Sequence, residues 1–306
     1  YRLLYCSMRS LFCVLFLLTT YHLVMAQPVQ NGNPFKDTAA VAYATQQTDT
    51  VLKKLSLKEK VGQMNTAGHF FAKAAAALLS GKGLPLMSIG EHKKYNIPGA
   101  TFTDGPRGVV RKGHTNFPCA MARAATWNTA LEQRIGETMA IDARHTGADL
   151  VGAPCMNILY SPLNGRAQEA YGEDPWLTGK MAAALVHGIQ RYGVMATAKH
   201  YALNSIENAR FTVDIKVDKR TLHEVYLPHF KMVVDEGIGS IMSAYNKVNG
   251  LYCSDNAELL NNILRKQWHF KGFVHSDWIL GTRSTAAAIK AGMNVEMPNP
   301  VFYTYG

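Results

Sequence analysis

Five strand-like segments of the sequence end in polar side chains of the kinds that bind or react with ligands. The apolar pair Phe273-Val274 leads through "HS" into Asp277, and Trp278 follows directly. A carboxylate at the end of a buried strand is costly unless it is paired or used. A structural cap would explain any one such residue, but five polar strand ends together indicate a shared site. The five ends carry Asp104, Arg166, Lys199 with His200, Tyr245 with Asn246, and Asp277.

This mixture of side chains suits a neutral ligand rich in hydroxyl groups. Carboxylates accept hydrogen bonds from hydroxyls, cations donate to them, and an indole covers an apolar face of the ligand. The sequence contains no H-E-x-x-H or C-x-x-C motif and no G-x-S-x-G motif around a serine nucleophile. No Gly-rich phosphate loop follows any strand-like segment. We therefore expect neither a metal ion nor a cofactor.

The spacing of apolar residues predicts the elements that carry these ends. Short apolar stretches alternate with longer amphipathic ones, which indicates right-handed βαβ units and a parallel sheet. Six or so units in about 250 residues favour a (β/α)₈ TIM-like barrel over an open doubly wound sheet, and in a barrel the carboxyl ends of the strands converge on one face. The predicted strands are "IPGATFT", "DLVGAPCMNIL", "GVMATAKHYA", "GIGSIMSAYN", "KGFVHSD" and "GMNVEMP". The predicted helices lie around 128–147, 175–192, 218–236, 256–269 and 282–291, and four of them end near Gly147, Gly193, Gly237 and Gly292.

The amino-terminal part of the chain has a different composition. Residues 1–26 combine a basic start, the apolar run "LFCVLFLL" and small residues before a polar stretch, which predicts a signal peptide cleaved near Ala26. The run is too short for a transmembrane span. We expect an exported protein, periplasmic or extracellular, that is not held by a membrane after cleavage. Residues 27–50 are predicted as a leader segment and residues 51–306 as the barrel domain, which begins near a capping box formed by Ser56 and Glu59.

The formal net charge of +10 is spread thinly along the chain, without a basic run longer than a pair. A solvated basic surface explains it better than a nucleic-acid interface, so no nucleic-acid partner is expected. Beyond the predicted signal peptide stand Cys119, Cys155 and Cys253. Buried free thiols are the favoured interpretation, although a pair could form in an exported protein. Nothing in the sequence indicates an oligomeric state.

Six motifs, in one order, resemble those of glycoside hydrolase family 3. They are "TDGPRG", "GRAQEAYGEDPWLTG", "KHYALNSIENAR", "IMSAYNKVNG", "GFVHSDW" and "AGMNVEMP", and the resemblance spans about residues 50 to 300. It is to the amino-terminal barrel domain of the β-glucosidase type. The resemblance implies an exo-acting retaining β-glucosidase that removes terminal β-D-glucosyl residues from a β-glucoside or an oligosaccharide. A β-xylosidase or another exo-β-glycosidase of the family, and a non-catalytic sugar-binding homologue, are the alternatives.

The resemblance also implies roles for individual residues. Asp277 matches the nucleophile that forms a glycosyl-enzyme intermediate, and Asp104 matches the carboxylate that holds distal hydroxyls of the sugar. Tyr245 matches a tyrosine beside the nucleophile, and Trp278 an aromatic residue lining the site. The residues expected around the same sugar subsite are Arg166, Lys199, His200 and Arg210, with Arg111 as a further candidate in an uncertain register.

A retaining glycosidase needs a second carboxyl group as general acid/base. Glu169 and Glu173 are candidates, but Glu169 is better explained as orienting arginines, and Glu173 as part of a loop that leads into a helix. The sequence after Lys199 departs from the histidine-containing loop of the N-acetylglucosaminidase branch and resembles two-domain glucosidases, whose acid comes from the second domain. We therefore expect a barrel truncated near its carboxyl-terminal end, without its general acid/base and poorly active alone.

Overall fold

The computed structural model describes residues 33–66, 70–79 and 86–304. The predicted signal peptide, residues 1–26, lies outside the described residues. In the part of the chain that is described, no helix combines the length and the apolar character needed to span a membrane. Cys119, Cys155 and Cys253 are free thiols, and burial raises the pKa of Cys155 and Cys253 to about 12.

Most strands belong to one sheet that forms the centre of the molecule. The described strands, in chain order, are β1 Met87–Ile89, β2 Ala100–Asp104, β3 Leu150–Gly152, β4 Met195–Tyr201, β5 Asp214–Ile215, β6 Ser240–Ser243, β7 Lys247–Val248, β8 Leu251–Tyr252 and β9 Phe273–His275. The central sheet has the order β1-β2-β3-β4-β6-β9, and its pairs are parallel except for β1 with β2. The remaining strands, β5, β7 and β8, form a small separate sheet.

Two further segments join the edges of the central sheet. His275 of β9 bridges to Val295, Glu296 bridges to Asn65, and Thr66 bridges to Ile89 of β1. The backbone N–H of Glu296 donates to Met64 O at 3.0 Å, which connects the two added segments directly. Eight backbone segments thus surround one interior, and the predicted TIM-like barrel is confirmed.

The antiparallel first strand corrects the expectation of an all-parallel sheet. β1 and β2 are joined by residues 90–99, which contain only the 3₁₀ turn Lys93–Tyr95. A parallel connection needs a crossover of about a dozen residues or more, usually a helix. This short link instead returns the chain in the opposite direction.

Helices cover the outside of the ring. They are α1 Thr38–Leu52, α2 Leu57–Gly62, α3 Phe70–Leu79, α4 Ala120–Ala124, α5 Thr129–Thr146, α6 Pro175–Arg191, α7 Lys219–Thr221, α8 Pro228–Asp235 and α9 Ala286–Ala291, with π-helical stretches Leu222–Tyr226 and Glu258–Gln267. The predicted helix 218–236 is divided into three pieces, with Pro228 at the first position of the last one. The four glycines predicted near helix ends all have positive φ angles. The predicted capping box is also present, because Ser56 Oγ accepts from Glu59 N and the Glu59 carboxylate accepts from Ser56 N.

The described part of the predicted leader packs on the barrel. Ala44 and Thr48 of α1 are fully buried, and Asn33 Nδ2 donates to Glu236 O at 2.9 Å after α8. Lys36 Nζ lies 3.4 Å from the carboxylate of Glu236. These contacts attach residues 33–52 to the carboxyl end of α8. The boundary at residue 50 stays a prediction.

Candidate active site

Asp104 and Lys199 meet across the carboxyl ends of β2 and β4. Lys199 Nζ lies 2.5 Å from Asp104 Oδ1, and Lys199 is 1% exposed whereas about half of the Asp104 side chain is exposed. Burial is the largest influence and acts to lower the pKa of Lys199, but the neighbouring groups, with Asp104 first among them, together outweigh it and the pKa of Lys199 is raised. Lys199 therefore remains charged, and one oxygen of Asp104 remains open to a ligand.

Gly152 of β3 leaves room for this pair. Asp104 pairs with Gly152 in the register of β2 and β3. A Cβ atom on Gly152 would stand 2.6 Å from Asp104 Oδ1 and 2.7 Å from Phe102 Cζ, which is closer than carbon side chains approach other atoms. The position of the Asp104 carboxylate therefore depends on a glycine in the neighbouring strand.

Consecutive residues Lys199 and His200 both contribute to the site. The pairing of β4 with β6 shifts register between Ala198 and Tyr201, so the side chains do not alternate regularly there. Asn157 fixes the backbone at this irregularity: its Oδ1 accepts from His200 N at 2.9 Å and its Nδ2 donates to His200 O at 2.8 Å. Asn157 follows β3 in the stretch "CMNIL", where the sequence pattern did not single it out.

His200 is a neutral imidazole whose tautomer is defined by Arg166. Arg166 Nη1 lies 2.9 Å from His200 Nε2, and arginine can only donate hydrogen bonds. Nε2 therefore accepts, and the ring proton resides on Nδ1, 3.4 Å from Asn157 Oδ1. Burial, and then the positive charge of Arg166, holds the pKa of His200 well below its usual value.

Asp277 lies at the centre of the site. It is 6% exposed, and its Oδ1 accepts from the backbone N–H of Trp278 at 2.7 Å. Its Oδ2 is 3.5 Å from His200 Nε2, which carries no proton, and the Tyr245 hydroxyl also interacts with this carboxylate and lowers its pKa. Burial raises the pKa of Asp277 to about 6, opposed by the Trp278 N–H and by Lys199. Lys199 and Arg166 act to lower this pKa, but burial outweighs them, and the carboxylate is mostly ionised only above about pH 6.

Two arginines of the site are each bound by a glutamate three residues away. Arg166 donates to both carboxylate oxygens of Glu169, at 2.9 and 2.7 Å. Arg210 Nη1 donates to Glu207 Oε2 at 2.8 Å. The guanidinium of Arg210 also lies 4.8 Å from the ring centre of Tyr245. The expectation that Glu169 orients an arginine is thus met.

Aromatic residues form the wall beside Asp277. The Trp278 ring lies 4.8 Å from that of Phe102 in the barrel interior, and Tyr245 Oη donates to Trp278 O at 2.8 Å. Tyr245 is 5% exposed, and burial, followed by the nearby Asp277 charge, raises its pKa, so its hydroxyl keeps its proton.

A cleft of about 580 Å³ borders the site at Asp104 and Glu169. Asp104 and residues 106–112 and 114–116 line one side, and Gln168 and Glu169 line the other. Arg111, the further candidate, lines this cleft. Glu173 is exposed and lies outside the cleft lining, just before Asp174, which caps α6 by accepting from Leu177 N. Among residues 33–66, 70–79 and 86–304, no group of three or more His, Cys, Asp or Glu side chains could hold a metal ion.

The ring of strands, the buried carboxylate and the cations around it can be compared with known proteins. The model of the glycosyl hydrolase family 3 N-terminal domain matches residues 90–304. The chain belongs to this family. A β-glucosidase from Rhizobium radiobacter is 40% identical over 260 residues, which cover 82% of this chain and 30% of that protein. β-Glucosidase B from Emericella nidulans is 40% identical over 261 residues, covering 83% of this chain and 29% of that protein. This family member thus spans about a third of the length of the curated relatives that it matches.

Solved structures give the same assignment. β-Glucosidase 3B from Thermotoga neapolitana, in complex with glucose, superposes with a TM-score of 0.74 at 36% identity, covering 82% of this chain and 36% of that chain. DesR, a β-glucosidase from Streptomyces venezuelae in complex with D-glucose, superposes with a TM-score of 0.75 at 33% identity, covering 83% and 33%. The barrel of the family is therefore present.

All eight residues predicted from the sequence lie on or beside the carboxyl face of the barrel, and contacts connect them in groups. Asp104 pairs with Lys199; Arg166 contacts His200, which lies beside Asp277; and Arg210, Tyr245 and Trp278 form a third group. The contacts not predicted come from Asn157, Gly152 and Phe102. A polar residue after a strand, as at Asn157, was the one signal that could have indicated one of them.

Proposed function

We propose that the protein to which this chain belongs is an exo-acting retaining β-glucosidase with Asp277 as its nucleophile. The observation that carries the proposal is the state of Asp277: a buried carboxylate with Oδ1 held by Trp278 N–H and Oδ2 facing the unprotonated Nε2 of His200. A carboxylate mostly ionised above about pH 6 can act as a nucleophile at neutral pH.

The proposed reaction has two steps. In the first, Asp277 Oδ2 forms a bond to the anomeric carbon while the bond to the leaving alkoxide breaks and a general acid supplies its proton. In the second, water donates a proton to the same group, now a base, attacks the anomeric carbon and releases Asp277 as a carboxylate. Arg166 keeps His200 unprotonated at Nε2, so His200 does not donate to Oδ2 and weaken the nucleophile.

Asp104 and Lys199 are proposed to bind the sugar at a distance from the reacting carbon. The open oxygen of Asp104 can accept hydrogen bonds from ligand hydroxyls, and Lys199 holds the other oxygen in place. Trp278 offers an aromatic face, and Arg166, His200, Arg210 and Tyr245 complete the proposed sugar subsite. Two solved relatives were obtained in complex with glucose, which supports a β-glucoside as the substrate.

The general acid/base is proposed to come from outside the residues described here. Glu169 lines the cleft, but both of its oxygens accept from Arg166, which favours its ionised form and makes it a poor proton donor. Glu173 is exposed and lies outside the cleft lining. Loss of a general acid typically costs about 10²–10⁴ in rate. We also propose that the protein is exported, on the basis of the signal-like sequence of residues 1–26.

The test uses two aryl β-glucosides that differ in leaving group. 2,4-Dinitrophenolate leaves without protonation, whereas a methylumbelliferyl or alkyl alcohol depends on a general acid. We expect the 306-residue chain to release dinitrophenol in a burst and to hydrolyse the less reactive glucosides poorly, and Asp277→Asn to abolish both. Efficient hydrolysis of an alkyl glucoside by this chain would mean that its acid lies within these residues. Activity of Asp277→Asn equal to that of the native chain would refute the nucleophile.

A further inference from the structure

A buried charged network is formed by Arg123, Glu132 and Tyr171, and within the described part of the chain no hydrogen bond or ion pair joins it to the proposed sugar-binding residues. Arg123 Nε lies 3.1 and 3.0 Å from the two carboxylate oxygens of Glu132, and Tyr171 Oη donates to Glu132 Oε1 at 2.6 Å. Exposure is 3% for Arg123, 0% for Glu132 and 2% for Tyr171. Burial raises the pKa of Tyr171 well above its usual value, so its hydroxyl keeps the proton that it donates.

Arg123 also binds both ends of the loop that follows Asp104. Its Nη1 donates to Pro106 O at 3.1 Å and to Pro118 O at 2.8 Å. Within this loop Phe117 N donates to Arg107 O at 2.8 Å, so the two ends are also held to each other. One guanidinium therefore closes the base of the loop 106–118 immediately after the β2 strand.

Tyr171 connects the same network to the opposite side of the cleft. It terminates the segment 166–171, which begins with Arg166 and contains Glu169. Residues 106–112 and 114–116 of the loop, and Gln168 and Glu169 of this segment, line the 580 Å³ cleft, and we call these two stretches its walls. Glu132, in the first turn of α5, binds the anchor of each wall: Arg123 for one and Tyr171 for the other.

We infer that Arg123, Glu132 and Tyr171 are positioning residues for substrate binding, because they set the distance between the two walls of the cleft. The inference rests on the proposed function for the identity of the ligand. A buried ion pair adds little net stability compared with well-packed apolar residues. We therefore infer that this pair serves to fix the positions of the segments that it binds. Arginine is required at this position because its planar fork can serve a carboxylate and two carbonyl groups at once, which a lysine ammonium cannot do in the same geometry.

The test compares two variants with a matched control. Arg123→Met combined with Glu132→Met replaces the buried pair with apolar side chains and leaves no unpaired charge, while both loop tethers are lost. Tyr171→Phe removes only one hydroxyl. The control is Gln190→Met, because Gln190 is also fully buried and bonds Gly237 O and Gly239 N beside the amino end of β6, remote from the cleft.

Two properties are measured on the 306-residue chain: the Kd for glucose, and the rate of trypsin cleavage after Arg107, Arg111 or Lys112 in the cleft wall. We expect the double variant to raise the Kd for glucose about 10-fold, because a displacement of binding groups by about 1 Å causes losses of this order. Trypsin cleavage of the wall should become faster by a similar factor. Tyr171→Phe should have a smaller effect of the same kind, and Gln190→Met should change neither property even if it lowers stability.

The inference is overturned if the double variant keeps the native glucose Kd and cleavage rate, or if Gln190→Met changes both as much. Failure of the native chain to bind glucose would contradict the proposed sugar site instead. In that case the cleavage rates alone decide whether the network holds the walls.

Discussion

Replacing Asp277 with asparagine should stabilise the protein at neutral pH. Burial raises the pKa of Asp277 from 3.8 to about 6, so the folded protein holds this proton between about pH 4 and pH 6 after the unfolded chain has released it. Where the folded state binds more protons, stability falls as pH rises. The difference of about 2 in pKa corresponds to about 3 kcal/mol. Ionisation of the buried carboxyl therefore lowers the free energy of unfolding of the native protein by about this amount above pH 6.

Asparagine imitates the neutral acid and can still accept the Trp278 N–H at its Oδ1. Asp277→Asn should therefore have a free energy of unfolding up to about 3 kcal/mol higher than that of the native chain at pH 7, and the difference should vanish near pH 4. Urea unfolding at several pH values measures this difference. Glu173→Gln, at an exposed carboxylate, is the control and should show no gap. A variant that is less stable at pH 7, or a gap that does not depend on pH, would refute the reasoning.

Three other outcomes are expected from the same geometry. Asp104→Asn should lower the free energy of unfolding by about 3 kcal/mol, because it leaves the fully buried ammonium of Lys199 without a counter-charge. Lys199→Met should lower it by only about 1 kcal/mol, because the carboxylate that it leaves is half-exposed. Urea unfolding compares the two variants, and the reverse order would contradict the assignment. Gly152→Ala should weaken glucose binding about 10-fold, because the added methyl group displaces the Asp104 carboxylate. Calorimetric titration measures the affinity, and an unchanged affinity would mean that Asp104 and Lys199 can shift without cost. The rate constant for labelling of the free protein by an activated glucoside should fall as the pH decreases through about 6, because Asp277 becomes protonated. If the rate constant instead falls only near pH 4, burial does not set the pKa of this carboxylate.

Much of the fold could be predicted from the sequence because its elements have clear local signals. Amphipathic spacing and the glycines near helix ends located α5, α6 and α8, and apolar runs located β2, β4 and β9. β1 was not predicted, because three residues are too few to show a period. Its antiparallel direction follows from a short connection, and the pairing of Asn65 with Glu296 joins residues far apart in the chain. The signal peptide and the domain boundaries stay predictions.

The site shows the same division. Residue type and position at strand ends identified Asp104, Lys199, His200 and Asp277, since parallel strands in a barrel bring these ends together. The raised pKa of Asp277 could not be predicted, because it depends on how deeply the carboxylate is buried in relation to its cations.

Arg123 and Glu132 show a second reason why part of the structure could not be predicted from the sequence. Both lie in helical sequence, where charged residues usually face solvent and an acid in the first turn favours the helix dipole. The two side chains meet only in the folded chain, where α4 and α5 bring them together, and no spacing rule describes that contact.

The identity of the nucleophile is tested most directly by covalent trapping. The 306-residue chain is incubated with 2,4-dinitrophenyl 2-deoxy-2-fluoro-β-D-glucoside, whose leaving group needs no general acid, and the labelled peptide is identified by mass spectrometry. We predict one 2-deoxy-2-fluoroglucosyl group on Asp277, released slowly by water and absent from Asp277→Asn. Labelling of another carboxylate such as Glu169, or labelling of Asp277→Asn at the native rate, would contradict the central claim.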